Sequence, residues 1–299
     1  MNIIGRRKIW YAISLVIIVP GTISLFTHGL RLGIDFKGGS LMEVSGHADQ
    51  NQLRTLAGEQ GFKDVTVTTS GDDTLIRFRD DADSQSAEAH HQAYKAKLSA
   101  VGSNEVRFDN VGPSVSRDIT RNALLSVLLA SLAIVLYIAF AFRNMPPPVS
   151  SWAFGLCAVA ALLHDALLVM GVFSLLGVFF HVEIDALFVT AVLTVIGFSV
   201  HDTIVVFDRI RENLRKRRES FEEVVNMSIL ETFARSINTS LTVLLTLMAL
   251  YLFGGESIKH FVLALLIGIA SGTYSSIFNA SPLLVTYHGY KLKQDTKNS

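Results

Sequence analysis

Six stretches of the chain are strongly apolar: residues 9–27, 122–142, 152–178, 186–207, 237–253 and 260–287. Each holds roughly the 17–25 residues that a helix needs to cross a bilayer core. Lipid offers no partner for backbone N–H and C=O groups, so spanning stretches of this kind must be helical. Residues 29–120 follow a different pattern. Residues 40–46 alternate as a half-buried strand does, and Asp49 to Gln60 carries Leu53, Leu56 and Ala57 at helical spacing, with Gly61 as a stop signal. Val65 and Val67 alternate with threonines, and Gly71-Asp72-Asp73 predicts a turn into Thr74–Arg79, where Ile76 and Phe78 share a face. A second helix over 84–100 and a strand marked by Val106 and Phe108 complete a β-α-β-β-α-β order, the ferredoxin-like pattern. The fold class expected is an α-helical polytopic membrane protein, six transmembrane helices with a small α+β extracytoplasmic domain between helices 1 and 2.

Charge at the helix ends predicts orientation. Arg6, Arg7 and Lys8 precede the first span, Arg209, Arg211, Arg215, Lys216, Arg217 and Arg218 follow the fourth, and Lys291, Lys293 and Lys297 lie in the tail. The short connections 179–185 and 254–259 hold only Lys259. Lys and Arg near the ends of short loops mark the cytoplasmic side, whereas long loops translocate largely regardless of charge. Both termini are therefore expected in the cytoplasm and domain 29–120 in the periplasm. The division is 1–28 (N-terminus and first span), 29–120 (α+β domain), 121–288 (spans two to six, with a basic cytoplasmic segment 208–235) and 289–299 (tail). The first span reads as an uncleaved anchor, with a signal peptide as the alternative: its length and the lack of a small-x-small site argue against cleavage.

Composition agrees with a membrane protein: half of the 299 residues are hydrophobic and only 17% are charged, against about 25% in a soluble domain. The single cysteine, Cys157, falls within the third span, so no intrachain disulfide can form. Net charge is zero, and the arginine cluster lacks interleaved aromatic residues, which argues against nucleic acid and fits attraction to anionic lipid. No Cys/His spacing suggests a metal site. His90 and His91 project about 100° apart on one helix and read as one surface and one half-buried histidine rather than ligands.

Ionisable residues within spans default to function because burying them is costly. Span three contains His164-Asp165, span four His201-Asp202, and span five begins near Arg235, with Asn238, Thr239 and Ser240 beyond it. Antiparallel placement of spans three and four puts Asp165 level with about residue 197, roughly 7–8 Å from the depth of Asp202 at 1.5 Å per residue. Two carboxyls at different depths resemble stations of a proton path. Burial disfavours an ionised carboxylate and a nearby guanidinium favours it, so an arginine that approached Asp202 in one state and withdrew in another would couple proton binding to helix movement. Interhelical hydrogen bonding is the structural alternative for Asp202, neutralisation by the adjacent His164 for Asp165, and snorkelling to the interface for Arg235. His164 and His201 point about 100° away from their neighbouring aspartates and read as packing residues. Gly268-x-x-x-Gly272 marks span six as a close-packing face, within this chain or against a partner.

Several stretches together resemble a known family: GIDFKGGS (33–40), LLHDALLVMGVFSLLG (162–177), a fourth-span run ending in DTIVVFDRIREN (202–213), ARSINTSLTVLLTLMALYLFGG (234–255) and GIASGTYSSIFNASPLL (268–284). In this order they are similar to the SecF membrane subunits of bacterial SecD–SecF protein-export complexes, of the resistance-nodulation-division superfamily. The resemblance implies a half-transporter paired with SecD in the cell inner membrane, coupling proton flow to handling of an unfolded polypeptide that leaves the SecYEG translocon. YajC and YidC are further partners it suggests. The family's membrane aspartate matches Asp202 and its arginine matches Arg235; Asp165, His164, His201, Asn238 and Ser199 are candidates for additional steps of the path. His201 and Asn279 depart from the usual pattern. No cofactor is expected beyond the proton gradient, and no catalytic residue or metal. A proton-coupled exporter half for small solutes or lipids and a non-transporting translocon scaffold are the competing functions.

Overall fold

The computed structural model describes residues 2–46, 49–70, 73–80, 84–143, 145–146 and 150–295. Gly71 and Asp72 of the expected turn, and Lys297 of the tail, lie outside them. The chain forms two compact units, Leu32–Ala123 and a second built from Met1–Arg31 with Leu124–Ser299.

The first unit opens with a single turn, α2 (Ile34–Lys37), and continues as β1 (Gly39–Ser45), α3 (Gln50–Glu59), β2 (Lys63–Ser70), β3 (Asp73–Arg79), α4 (Ser84–Ala100) and β4 (Asn104–Val111). The strands form one antiparallel sheet in the order β2-β3-β1-β4. Alternation in β1 and β3 sends Met42, Val44, Ile76 and Phe78 to the helix-covered face, where they meet Leu53 and Ala57 of α3 and Tyr94 and Leu98 of α4. Tyr94 satisfies its buried hydroxyl by donating to Leu53 O at 3.1 Å, and burial raises its pKa well above the usual phenol value. Gly39 has φ +117 and a Cβ there would stand 3.0 Å from Phe78 O, so only glycine fits without strain.

The second unit is a helical bundle: α1 (Arg7–His28), α5 (Pro113–Ala141, whose first turns belong to the other unit), α6 (Ser151–Phe180), α7 (Ala186–Lys216), α8 (Phe221–Phe253), α9 (Glu256–Ser275) and α10 (Ser281–Asp295). A π-helical segment, Ser276–Ala280, joins the last two. Pro282 lacks the N–H that would bond the carbonyl of Phe278, and Ser281 Oγ reaches Ser276 O at 3.2 Å instead. Among the described residues, six helical stretches are long and apolar enough to cross a membrane, the sixth running through the π segment. The helices outlast the apolar stretches. Segment 208–235 is mostly helical, α7 continuing to Lys216 and α8 starting at Phe221 behind a Ser220–Glu223 capping box. Its basic residues are largely paired within the chain: Glu231 on α8 accepts from Arg209 at 2.6 Å, Arg217 at 2.9 Å and Asn213 at 2.9 Å, all on or next to α7.

Small residues set the helix spacing. Gly21 of α1 lies against Gly171 of α6, where a Cβ on Gly171 would stand 2.8 Å from Gly21 backbone, and Ser24 bonds Ser174 one turn further on at 2.8 Å. Gly268 of α9 leaves no room for a Cβ beside Val195, and one on Gly272 would meet Ser199 Cβ at 3.1 Å. The small-residue face of α9 is therefore used within this chain, against α7. Gly171→Ala should force α1 from α6 and cost about 1–3 kcal/mol, read as a lower Tm in detergent. Gly155→Ala on the same helix, with open space at its Cβ, should leave the Tm unchanged or higher.

Candidate functional site

Asp165 and Asp202 are both buried, at 0% and 2% exposure, but in different surroundings. Asp165, on α6, is held by hydroxyls from two other helices. Its Oδ2 accepts from Ser199 on α7 at 2.5 Å and Ser275 on α9 at 2.6 Å, and its Oδ1 accepts from Ser271 on α9 at 2.8 Å. His164 Nδ1 adds a contact at 3.0 Å to Oδ1. The expected divergence of neighbouring side chains is thus corrected: the two Cβ atoms diverge, but the imidazole turns back along the helix to reach the carboxylate. With Nδ1 donating, His164 Nε2 is free to accept from Asn279 Nδ2 at 3.2 Å. Asn279 also bonds Ser14 of α1 at 2.8 Å, Ser14 donates to Tyr274 Oη at 3.3 Å, and Tyr274 donates to Trp10 O at 2.8 Å. The departure at Asn279 is therefore the middle link of a polar chain from Asp165 to α1, and it sits on the π-helical segment.

Asp202, on α7, has far fewer donors. Thr273 of α9 donates to its Oδ2 at 3.2 Å, and Thr273 and Ser240 of α8 share a 2.5 Å hydrogen bond. His201 Nδ1 stands 3.9 Å from Oδ1, with a side chain 63% exposed. Ser236, one turn before Ser240, is buried with no hydrogen-bond partner for its hydroxyl among the described residues. Thr203 bonds Ser276 at 2.9 Å and Ser199 O at 3.1 Å. Since Ser199 bonds Asp165 directly, Asp165 is level with residue 199 rather than 197. Three residues separate that level from Asp202, so the two carboxyls differ in depth by roughly 4–5 Å rather than 7–8 Å.

Arg235 is exposed on α8, and its guanidinium has no ion pair or hydrogen bond among the described residues. The structure does not bring it to Asp202. Asn238 is likewise exposed, its carbonyl accepting from Thr242 at 2.8 Å. No group of three or more His, Cys, Asp or Glu residues able to hold a metal occurs among the described residues. Reading the sequence for charge missed Thr273, Ser14 and Tyr274. Hydroxyls spaced three or four apart on an apolar helix (271, 275, and 279 as an amide) were the available signal.

Residues 93–290 match the family described as protein export membrane protein SecD/SecF, C-terminal, and residues 23–47 match the SecD/SecF GG motif. The chain is 50% identical to the protein translocase subunit SecF of Thermobaculum terrenum, covering 96% of this chain and 94% of that one. It belongs to the SecF family. SecF of Pseudomonas aeruginosa is 37% identical, with 95% and 90% covered. A crystal structure of SecDF from Thermus thermophilus, described as a translocon-associated membrane protein, superposes with a TM-score of 0.83 at 32% identity. That match covers 96% of this chain and 38% of the other. The chain thus corresponds to the SecF portion of a longer fused protein, and it is a multi-pass subunit of the protein translocase.

Within the SecF bundle the serine cage should be structural in the first instance. Removing an acceptor strands buried donors at about 1–3 kcal/mol each, so Asp165→Ala, which strands three hydroxyls, should melt well below Asp202→Ala in detergent. Equal Tm values would show that the cage does not hold α6, α7 and α9 together.

Proposed function

We propose that this subunit, with SecD, uses the proton gradient to promote movement and release of exported polypeptides, and that Asp202 carries the coupling proton. The observation that supports Asp202 over Asp165 is the difference in hydrogen bonding. Asp165 has a full set of donors that a proton would disrupt, while among the described residues Asp202 has Thr273 at 3.2 Å and a weaker contribution from Ser240. An ionised carboxylate at Asp202 lacks compensation in this arrangement, and burying an uncompensated charge is costly. Its environment therefore changes character if a cation approaches. Arg235, uncommitted on the neighbouring helix, is the group assigned to that approach. The hydroxyls of Thr273, Ser240 and Ser236 form a line by which a proton or a water could reach the carboxyl from α8.

The exposed polar positions Arg235, Asn238 and His201 support a second membrane subunit against α7 and α8, because such groups are expensive in lipid. SecD is the partner assigned, with SecYEG as the translocon served and YajC and YidC as associates. The strand order and helix placement of Leu32–Ala123 support a ferredoxin-like domain, assigned here to the periplasm, with both termini in the cytoplasm of an inner-membrane protein. One elementary charge crossing 100 mV gains about 2.3 kcal/mol, which suits small biased steps along a chain without a nucleotide. The small-solute exporter and the scaffold have no separate observation in their favour.

Inverted membrane vesicles containing this chain and SecD test the proposal. Asp202→Asn at matched subunit levels should abolish the gradient-dependent increment of preprotein translocation while leaving assembly intact. An undiminished increment would return Asp202 to an interhelical hydrogen-bonding role.

A further inference from the structure

The Leu32–Ala123 unit holds a cavity of about 110 Å3 between α4 and the sheet that the proton path leaves unused. Phe78 and Phe108 form apolar walls, and Asp80, Glu88, His91 and Asn110 bring polar groups to it. His91 is the informative residue. It is 7% exposed and its ring stacks on Phe108, with centroids 3.8 Å apart and planes 10° apart. Its Nε2 stands 2.7 Å from Glu105 Oε2, and Lys95 Nζ stands 3.1 Å from Glu105 Oε1. Burial pushes the Glu105 carboxyl up, but the hydrogen bonds from His91 and Lys95 outweigh it and hold the group below the usual carboxylate range. An ionised carboxylate can only accept, so Nε2 donates to Glu105, and in the neutral imidazole Nδ1 is then the edge that presents a lone pair.

That Nδ1 is buried and has no hydrogen-bond partner among the described residues. The closest charge to it is Glu88 Oε1, one turn back on α4 at 3.8 Å. Glu105 is not part of the cavity lining, so it is the unpartnered edge of the imidazole that faces the cavity. Asp80 is nearby, its Oδ2 2.9 Å from His90 Nδ1. With Asp80 already held by His90, the cavity offers the Glu88 carboxylate and the unpartnered Nδ1 edge of His91 over aromatic walls: it favours a donor. No three metal-ligating groups are suitably placed among the described residues, so an organic cation fits better than a metal ion. A guanidinium answers each feature, having five donors in a planar fork and a face that stacks on aromatic rings. The cavity also adjoins a sheet edge. β4, which supplies Phe108 and Asn110, pairs only with β1 among the described strands. Its other edge has no strand partner among them, and added strands are a common mode of peptide recognition.

We propose that this cavity receives an arginine side chain of an extended polypeptide lying along β4. The proposal rests on the reading that the chain handles exported polypeptides, and it names a residue type that this domain would grip. The probe is a fluorescently labelled, unstructured peptide with a single arginine, compared with twins carrying lysine or glutamine there. Each is titrated with the full-length chain in nanodiscs of zwitterionic lipid, so that no anionic lipid attracts the peptide. The arginine peptide should bind about tenfold tighter than the glutamine twin, as charge-assisted hydrogen bonds imply, with lysine between them. Ala87→Leu, which fills the cavity from α4, should erase the preference, and Glu88→Gln should reduce it about threefold, with Tm values unchanged. Equal binding of the three peptides, or a preference that survives Ala87→Leu, overturns the proposal. The titration needs no gradient, so a failed preference beside intact gradient-driven translocation removes the cavity's role and leaves the translocase reading standing.

Discussion

A carboxylate with no water to solvate it is the constraint around which the helical bundle is organised. In the interior of a membrane protein each polar atom must find a protein partner or bear a cost of several kcal/mol, about 2–7 for an amide or hydroxyl and more for a charge. Asp165 meets this demand by drawing hydroxyls from α7 and α9 onto α6. Hydroxyl bonds of that length require the backbones to be close, and the glycines supply the closeness: Gly272 lies beside Ser199, and Gly268 beside Val195. The packing face and the polar network are thus one feature. A larger residue at either glycine would lengthen the hydrogen bonds that make Asp165 tolerable.

The same constraint separates the two aspartates. A residue that is fully coordinated is held in one protonation state by its surroundings, whichever that is, and resists change. A residue with few and long hydrogen bonds is sensitive to any charge that moves near it. Asp165 has the first character and Asp202 the second, although both belong to a His-Asp dipeptide in a spanning helix. Their histidines differ in parallel: His164 is locked between Asp165 and Asn279, whereas His201 is mostly exposed and 3.9 Å from its aspartate. Identical dipeptides acquire different properties because one lies among serine-bearing helices and the other near the outer face of the bundle.

This difference explains what could be read from the sequence. Periodicity is local, so the spans, the strand and helix order of residues 39–111 and the small-residue face of α9 were legible from composition and spacing alone. The family resemblance extended this to the identity of Asp202 and Arg235. Partners across helices were not legible. Nothing within the α6 sequence indicates that Ser199 or Ser275 will reach Asp165, and a two-residue error in the assumed turn between α6 and α7 was enough to misplace the relative depth by several ångströms. Helix ends were also underestimated, because charged residues such as Arg209 and Glu231 extend a helix beyond its apolar core when they pair with one another. Hydropathy records where lipid ends, and the helix continues past it.

The distribution of outward-facing residues carries the argument one step further. On α5 beyond Asn122 the exposed positions are mostly apolar, Leu124, Leu128, Leu132 and Leu136 among them, with Ser126 and Tyr137 carrying the polar groups, a surface that hydrocarbon largely accepts. On α8 the exposed positions include Arg235, Asn238, Thr239, Thr242 and Thr246, and on α7 Thr190, Thr194 and His201. The threonines bond carbonyls of their own helices and would tolerate lipid. The side chains of Arg235 and Asn238 have no such bond among the described residues, and His201 has only a 3.9 Å approach to Asp202 there; in lipid they would oppose folding of the very helices that frame Asp202. A bundle with one lipophilic flank and one flank bearing an arginine, an amide and an imidazole fits the proposal that it forms one side of a larger polar interior. The proton-carrying reading of Asp202 depends on that geometry, since a cation can approach and withdraw only where the space beside α7 and α8 is closed by protein rather than filled with hydrocarbon.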